Sequence, residues 1–152
     1  LAFKQRAPPA FEVWASDRSP AALAVARANA QRLQLAAAWL EGHWWEPFAG
    51  QQFGIAVSNP PYIAEGDPHL EALQHEPGAA LTAGADGLQA LQHIVAGAPH
   101  HLLAGGWLLL EHGFDQEPAV AALLDTGGFE QIETRTDLAG QPRLTGGRRR
   151  GG

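Results

Sequence analysis

The run Phe53-Gly54-Ile55-Ala56-Val57-Ser58-Asn59-Pro60-Pro61-Tyr62 reads as an apolar strand that stops in an amide side chain and two successive prolines. Each proline fixes φ near about −65° and removes a backbone donor, so the strand ends on a stiff turn. Asn59 becomes the hydrogen-bonding head of that turn. Its side-chain carbonyl offers one acceptor, the backbone carbonyl of Pro60 a second, and Tyr62 an aromatic face for a flat substrate. Two acceptors aimed at one NH₂ group hold it with the nitrogen lone pair directed at an incoming electrophile.

Upstream, Phe11, Val13 and Ala15 alternate with more polar neighbours as a short strand that ends at Ser16-Asp17. Ser19-Pro20 is an N-cap followed by proline at the first helical position, and Leu23, Ala26, Ala30 and Leu33 keep one apolar face. A second strand is expected over 37–40, followed by a loop with adjacent indoles at Trp44 and Trp45. Asp17 therefore stands at the C-terminal end of a strand just before a capped helix, where open α/β sheets bind nucleotides. A carboxylate there can accept both ribose hydroxyls of a nucleoside. The alternative is that Asp17 only turns the chain ahead of Ser19.

Downstream, residues 63–83 are polar and proline-bearing without a clear period, the pattern of a long loop kept for function. Leu88, Leu91, Val95 and Leu102 mark a helix expected to kink or break near Gly97 and Pro99. Residues 107–111 read as a buried strand, 118–124 as a helix closed by Gly127-Gly128, 131–136 as a strand, and 143–146 as a last edge strand. Leu1 to Arg6 reads as the last turn of a helix. Strands alternating with helices imply a mostly parallel sheet covered on both faces. Residues 1–147 are expected to form one partial catalytic domain, and 148–152, with Arg148-Arg149-Arg150 among glycines, a disordered basic tail.

The 152 residues carry a formal charge of −6 and a pI near 5.6, which argues against generic nucleic-acid binding, whose affinity comes from Lys and Arg on phosphates. The chain lacks Cys, which excludes disulfide scaffolds and thiol catalysis, and its seven His are too dispersed to propose a metal site. No apolar stretch approaches the roughly 20 residues that span a bilayer. A cytoplasmic protein that acts on another protein or a small molecule is the expectation, with no direct nucleic-acid or membrane partner.

Ala15-Ser16-Asp17, the Ala26-Arg27-Ala28-Asn29-Ala30 helix segment, Gly50 to Phe53, Val57 to Ile63, Asp67 to Leu70, Glu76-Pro77, Ala83 to Leu88 and Leu108 to Gly113 occur in this order along nearly the whole chain. In this the sequence resembles the peptide chain release factor N(5)-glutamine methyltransferases of the HemK/PrmC family. The Asn-Pro-Pro-Tyr turn by itself is shared with DNA and ribosomal RNA amino-methyltransferases. The Leu-Leu-Glu-His-Gly strand and the closing Asp137…Gly140…Arg143…Thr145-Gly146 pattern favour the release-factor enzymes.

The resemblance implies a class I S-adenosylmethionine-dependent methyltransferase (Rossmann-like) fold and methyl transfer to the side-chain amide of the glutamine in the Gly-Gly-Gln loop of class I release factors. It implies that Asn59 and Pro60 accept the two amide hydrogens, that Pro61 keeps the turn rigid and that Tyr62 packs on the glutamine side chain. Asp17, Trp44 and Asn59 are implied on the cofactor, with Trp44 beside the adenine. His43 stands where the family usually has Asp, which departs from the usual acidic contact to the adenine amino group. His112 follows a buried strand and reads as a satisfied structural residue, since the reaction needs no base before transfer. The alternatives are a nucleic-acid amino-methyltransferase that uses the same turn on an exocyclic base amine, and an inactive fragment.

Members of the family carry a Gly-rich loop after a first, central strand, and no such sequence occurs in these 152 residues. The expectation is an N-terminally truncated catalytic domain that lacks its first strand and the family's small helical domain, and that is unstable and inactive as a bare chain.

Overall fold

The computed structural model describes residues 11–60 and 88–151, which fall into two compact units, Leu1–Ala49 and Gly50–Gly152. Residues 61–87 lie outside the described residues, and with them Pro61, Tyr62 and the expected loop over 63–83; so does the N-terminal helical turn.

In the first unit, strand β1 (Trp14–Asp17) leads into helix α1 (Pro20–Arg32), which returns the chain to strand β2 (Ala38–Glu41). β1 and β2 pair in parallel with Asp17 opposite Glu41, the arrangement that a helical crossover imposes. α1 starts where the sequence places it. Ser19 is in the extended region, its Oγ accepts from Ala22 N–H at 3.2 Å, and Pro20 fills the first helical position. At the other end Gln34 adopts φ +52°, Gln34 N–H donates to Gln31 O and Leu35 N–H to Ala30 O. That is a left-handed helix stop built on glutamine instead of glycine. Leu23 and Ala30 are buried on one face, and Arg27 donates to Trp39 O on β2 at 3.2 Å.

The second unit holds strand β3 (Phe53–Ser58), helix α2 (Gln89–His101), strand β4 (Leu102–Glu111), helix α3 (Glu117–Thr126), strand β5 (Phe129–Thr136) and strand β6 (Pro142–Arg149). The four-stranded sheet has the order β3-β4-β6-β5. β3 and β4 are parallel, while β6 runs antiparallel to both of its neighbours. The fold is thus α/β with a mixed sheet. Among the described residues β1 and β3 each pair on one side only. The core gathers Leu91, Ile94, Val95 and Ala98 of α2, Leu108 and Leu110 of β4, Val120 and Leu124 of α3, and Phe129 of β5. A Leu removed from water to this extent contributes on the order of 2 kcal/mol before chain entropy is counted.

Three expectations are corrected here. α2 runs through Gly97 and Pro99 to His101 without interruption, and Leu102 begins a strand instead of continuing the helix. Pro99 removes one N–H from the last turn, while the buried face with Ala98 keeps that turn packed. The strand expected at the edge over 143–146 is longer and lies inside the sheet, between β4 and β5.

The expected disordered basic tail is also overturned, because Arg148 and Arg149 belong to β6. Arg148 Nε donates to Gly105 O at 3.2 Å, Arg149 donates to Leu102 O, and Arg150 pairs with Asp125 at 2.8 Å. The physical reason lies in Gly146 and Gly147. A Cβ on Gly146 would come within 2.5 Å of Leu109 Cδ2, and one on Gly147 within 2.9 Å of Phe129 Cβ. Glycine lets β6 settle between two strands where composition suggests a loose end.

Candidate functional site

The first unit presents its chemistry at the C-terminal edge of the β1–β2 pair. Asp17 ends β1 exposed, and its Oδ1 accepts Ser19 N–H at 2.8 Å. Asp17 thus performs the turn that the bland reading gives it. Its Oδ2 makes no hydrogen bond among the described residues, so one carboxylate oxygen remains for a ligand. The backbone carbonyl of Asp17 accepts Gly42 N–H at 3.2 Å, which ties the end of β1 to the loop after β2.

That loop carries Trp44 at the same edge. Gly42 holds φ +152°, and a Cβ there would approach Pro47 Cγ to 2.5 Å. His43 N–H donates to Glu46 Oε2 at 3.3 Å and Glu46 N–H to His43 O at 3.0 Å, closing the turn. Trp44 itself sits at φ +48°, in the left-handed region that side chains larger than Gly and Asn rarely occupy. The half-buried indole is therefore set in place by a constrained turn. A carboxylate oxygen without a partner among the described residues and an indole at one strand-end edge are an acceptor and a surface suited to a nucleoside, with its two ribose hydroxyls and flat base.

The second unit presents Asn59 and Pro60 at the C-terminal edge of β3. Asn59 is exposed, Pro60 is buried, and the Asn59 side chain makes no hydrogen bond among the described residues. An exposed amide followed by a buried proline offers an acceptor at the strand end. Ser58 pairs with Leu110, so the next residues of the two parallel strands, Asn59 and Glu111, emerge side by side. The structure thus brings Asp17 together with Trp44, and Asn59 together with Pro60. Pro61 and Tyr62 lie outside the described residues.

His112 follows Glu111 and is wholly buried. Its Nδ1 lies 2.8 Å from Gly113 O and its Nε2 2.7 Å from Thr145 Oγ1, which in turn lies 2.9 Å from Thr134 Oγ1. Gly113 O can only accept, so Nδ1 carries the proton and Nε2 accepts the Thr145 hydroxyl. Both ring nitrogens are used internally, and the structural reading of His112 holds. Sequence reasoning missed Thr145 and Thr134 as its partners. The signal was present in the spacing of Thr145 within the closing pattern, but pairing across strands β4, β6 and β5 is not visible along a single segment.

The hairpin between β5 and β6 stands at the same end of this sheet. Asp137 Oδ1 accepts Ala139 N–H at 2.9 Å and Gln141 N–H at 3.0 Å, while Oδ2 accepts from Arg143 Nε at 3.1 Å. These donors, Gln141 first and Arg143 next, hold the Asp137 carboxyl below its usual value.

No protein-family model matches the chain. It is 49% identical over 143 residues to the release factor glutamine methyltransferase of Xylella fastidiosa, a match that covers 92% of this chain and 52% of that protein. The chain spans about half the length of the curated relatives it matches. Among solved structures, a methyltransferase from Pyrococcus furiosus aligns with a TM-score of 0.65 at 14% identity, covering 91% of this chain and 63% of that one. The release factor-specific protein-(glutamine-N5) methyltransferase of Alicyclobacillus acidocaldarius aligns with a TM-score of 0.54 at 23% identity, covering 98% of this chain and 86% of that one. At these identities the structural matches establish the fold. Over the length it shares with them, the chain is similar to the release factor glutamine methyltransferases, and it has the class I S-adenosylmethionine methyltransferase fold.

Proposed function

We propose that the protein methylates the side-chain amide nitrogen of the glutamine in the Gly-Gly-Gln motif of class I peptide chain release factors, with S-adenosylmethionine as methyl donor. The observation that carries this reading is Asn59, an exposed amide with no side-chain hydrogen bond among the described residues, beside a buried proline at a strand end, in a chain 49% identical to an enzyme named for that reaction.

An amide nitrogen is a weak nucleophile because its lone pair is delocalised into the carbonyl. Asn59 Oδ1 and the Pro60 carbonyl accept its two hydrogens, orient it and stabilise the positive charge that develops as the new bond forms. The new N–C bond forms as the methyl's bond to sulfur breaks, and the N–H proton passes to solvent water only afterwards, when the nitrogen has become acidic, so His112 is left to its structural bonds. Pro61 keeps the turn stiff and Tyr62 packs along the glutamine side chain.

When bound, S-adenosylmethionine supplies a methyl group made electrophilic by its sulfonium. Asp17 Oδ2 would accept from the ribose hydroxyls, Trp44 would hold the adenine, and Asn59 would contact the cofactor as well as the substrate. His43 stands where the family usually has Asp, so the usual acidic contact to the adenine amino group is replaced by an imidazole. The protein acts in the cytoplasm, where its protein substrate is found, and the excess of carboxylates disfavours a nucleic-acid substrate.

The test is mass spectrometry of a release factor incubated with S-adenosylmethionine and the native-length protein, native or Asn59→Ala. One added methyl on the Gly-Gly-Gln glutamine that disappears in Asn59→Ala supports the reading. An unmodified glutamine, with the native protein shown to bind cofactor, overturns it.

A further inference from the structure

Two apolar side chains stand exposed on the sheet end that carries Asn59. Leu138, at the tip of the β5–β6 hairpin, is fully exposed, and Phe114, in the turn after β4, is 57% exposed. The register places them. β3, β4, β6 and β5 lie in that order, Asn59 follows Ser58 opposite Leu110, His112 N–H bonds Arg143 O, and Thr136 pairs with Pro142. The strand ends at 59–60, 111–114, 142–143 and 136–137 therefore line one edge of the second unit.

Single exposed leucines are ordinary on protein surfaces. Leu138 differs in being held. The Asp137 carboxylate grips Ala139 N–H, Gln141 N–H and Arg143 Nε, Asp137 N–H donates to Gln141 O at 2.8 Å, and Gly140 takes φ +80° to close the turn. The turn under Phe114 is likewise closed, by Gly113 N–H on Gln116 Oε1 at 2.9 Å and Gln116 N–H on Gly113 O at 3.0 Å. A backbone fixed before contact loses little further entropy on binding, so the side chains that it carries can serve as anchors at lower cost.

We propose that Leu138, with Phe114 beside the next strand end, is a docking anchor for the folded protein that carries the target glutamine. This rests on the function proposed above. Neighbouring strands lie about 4.8 Å apart, so β5 stands roughly 15 Å from β3 across the sheet. A free glutamine or small amide held at Asn59 cannot reach that far, whereas a standard protein–protein patch of about 800 Å² per partner is roughly 30 Å across and includes both positions. The chemistry of the partner follows from the charges between them. Glu111, Asp115 and Glu117 have no cationic partner among the described residues, so the matching surface is an apolar socket flanked by Lys or Arg.

The experiment measures steady-state methylation of an intact release factor by the native-length protein, native or with Leu138→Ala, Leu138→Asp or Phe114→Ala, and with Val25→Ala as an exposed apolar control on α1. Leu138→Ala should raise KM for the release factor at least about 5-fold, and Leu138→Asp further, with the loss confined to KM and no change in cofactor affinity or melting temperature. An unchanged KM in both Leu138 variants overturns the docking role and leaves the methyltransferase reading standing. A KM raised equally by Val25→Ala overturns it too, as does a concentration-dependent dimer that Leu138→Ala dissolves without altering KM. A native protein that does not methylate the release factor overturns both readings at once.

Discussion

His112 Nε2 lies 2.7 Å from Thr145 Oγ1, and both side chains are wholly buried, so one hydrogen bond ties the end of β4 to the middle of β6. Thr145→Val keeps the shape of the side chain and removes this partner, leaving Nε2 buried without a donor. The expected cost is about 1–3 kcal/mol, read in urea as a lower midpoint at unchanged slope. A midpoint equal to native would show that the imidazole has another partner.

The two glycines of β6 separate hard from soft obstruction. Gly147→Ala drives a Cβ against Phe129 Cβ, which the backbone of β5 fixes, whereas Gly146→Ala meets Leu109 Cδ2, the far end of a side chain that can rotate. Overpacking costs typically about 1–3 kcal/mol, and Gly147→Ala should fall at the upper end with Gly146→Ala below it. Urea unfolding of the two variants should show that order.

Asp137 adds a pH dependence to the hairpin. Its carboxyl is held below the usual carboxylate range, first by Gln141 N–H and then by Arg143. A depressed folded pKa contributes stability that is fully present above the unfolded value and is lost as pH falls through the folded one. The protection factors of the Ala139 and Gln141 amides, taken against the intrinsic exchange rate at each pH, should therefore fall below about pH 4 in the native protein. In Asp137→Asn that acid step should be absent.

Asp17→Asn retains an oxygen for Ser19 N–H but turns the other acceptor into a donor and removes the charge. Titration calorimetry with S-adenosylhomocysteine should show at least about tenfold weaker binding, the equivalent of one charge-assisted hydrogen bond. Unchanged affinity would assign Asp17 to the turn alone.

Much of this structure is legible along the chain because its punctuation is local. Ser19-Pro20 announces α1 within two residues, and Asn59-Pro60 announces where β3 stops. The candidate site residues at those ends, Asp17 and Asn59, are proposed by the same logic, since a strand end is a property of a few neighbours. β6 is misread for the opposite reason. Gly146, Gly147 and the arginines after them take their places from Leu109, Phe129, Gly105 and Leu102, all far away in sequence. Pro99 misleads in a similar way, because the packing of Ala98 and Val95 outweighs one lost helical hydrogen bond. The hairpin that fixes Leu138 is encoded in Asp137 and Gly140, but its position on the Asn59 edge depends on strand order, which no single segment carries.

The interior place of β6 also governs when the second unit can fold. β4 and β5 meet only through β6, so a chain emerging from the ribosome carries β4 with one edge unpaired until Pro142–Arg149 has been synthesised and released. At synthesis rates of about 5–20 residues per second that interval lasts seconds, during which the Leu108 to Leu110 segment is open to pairing with other chains.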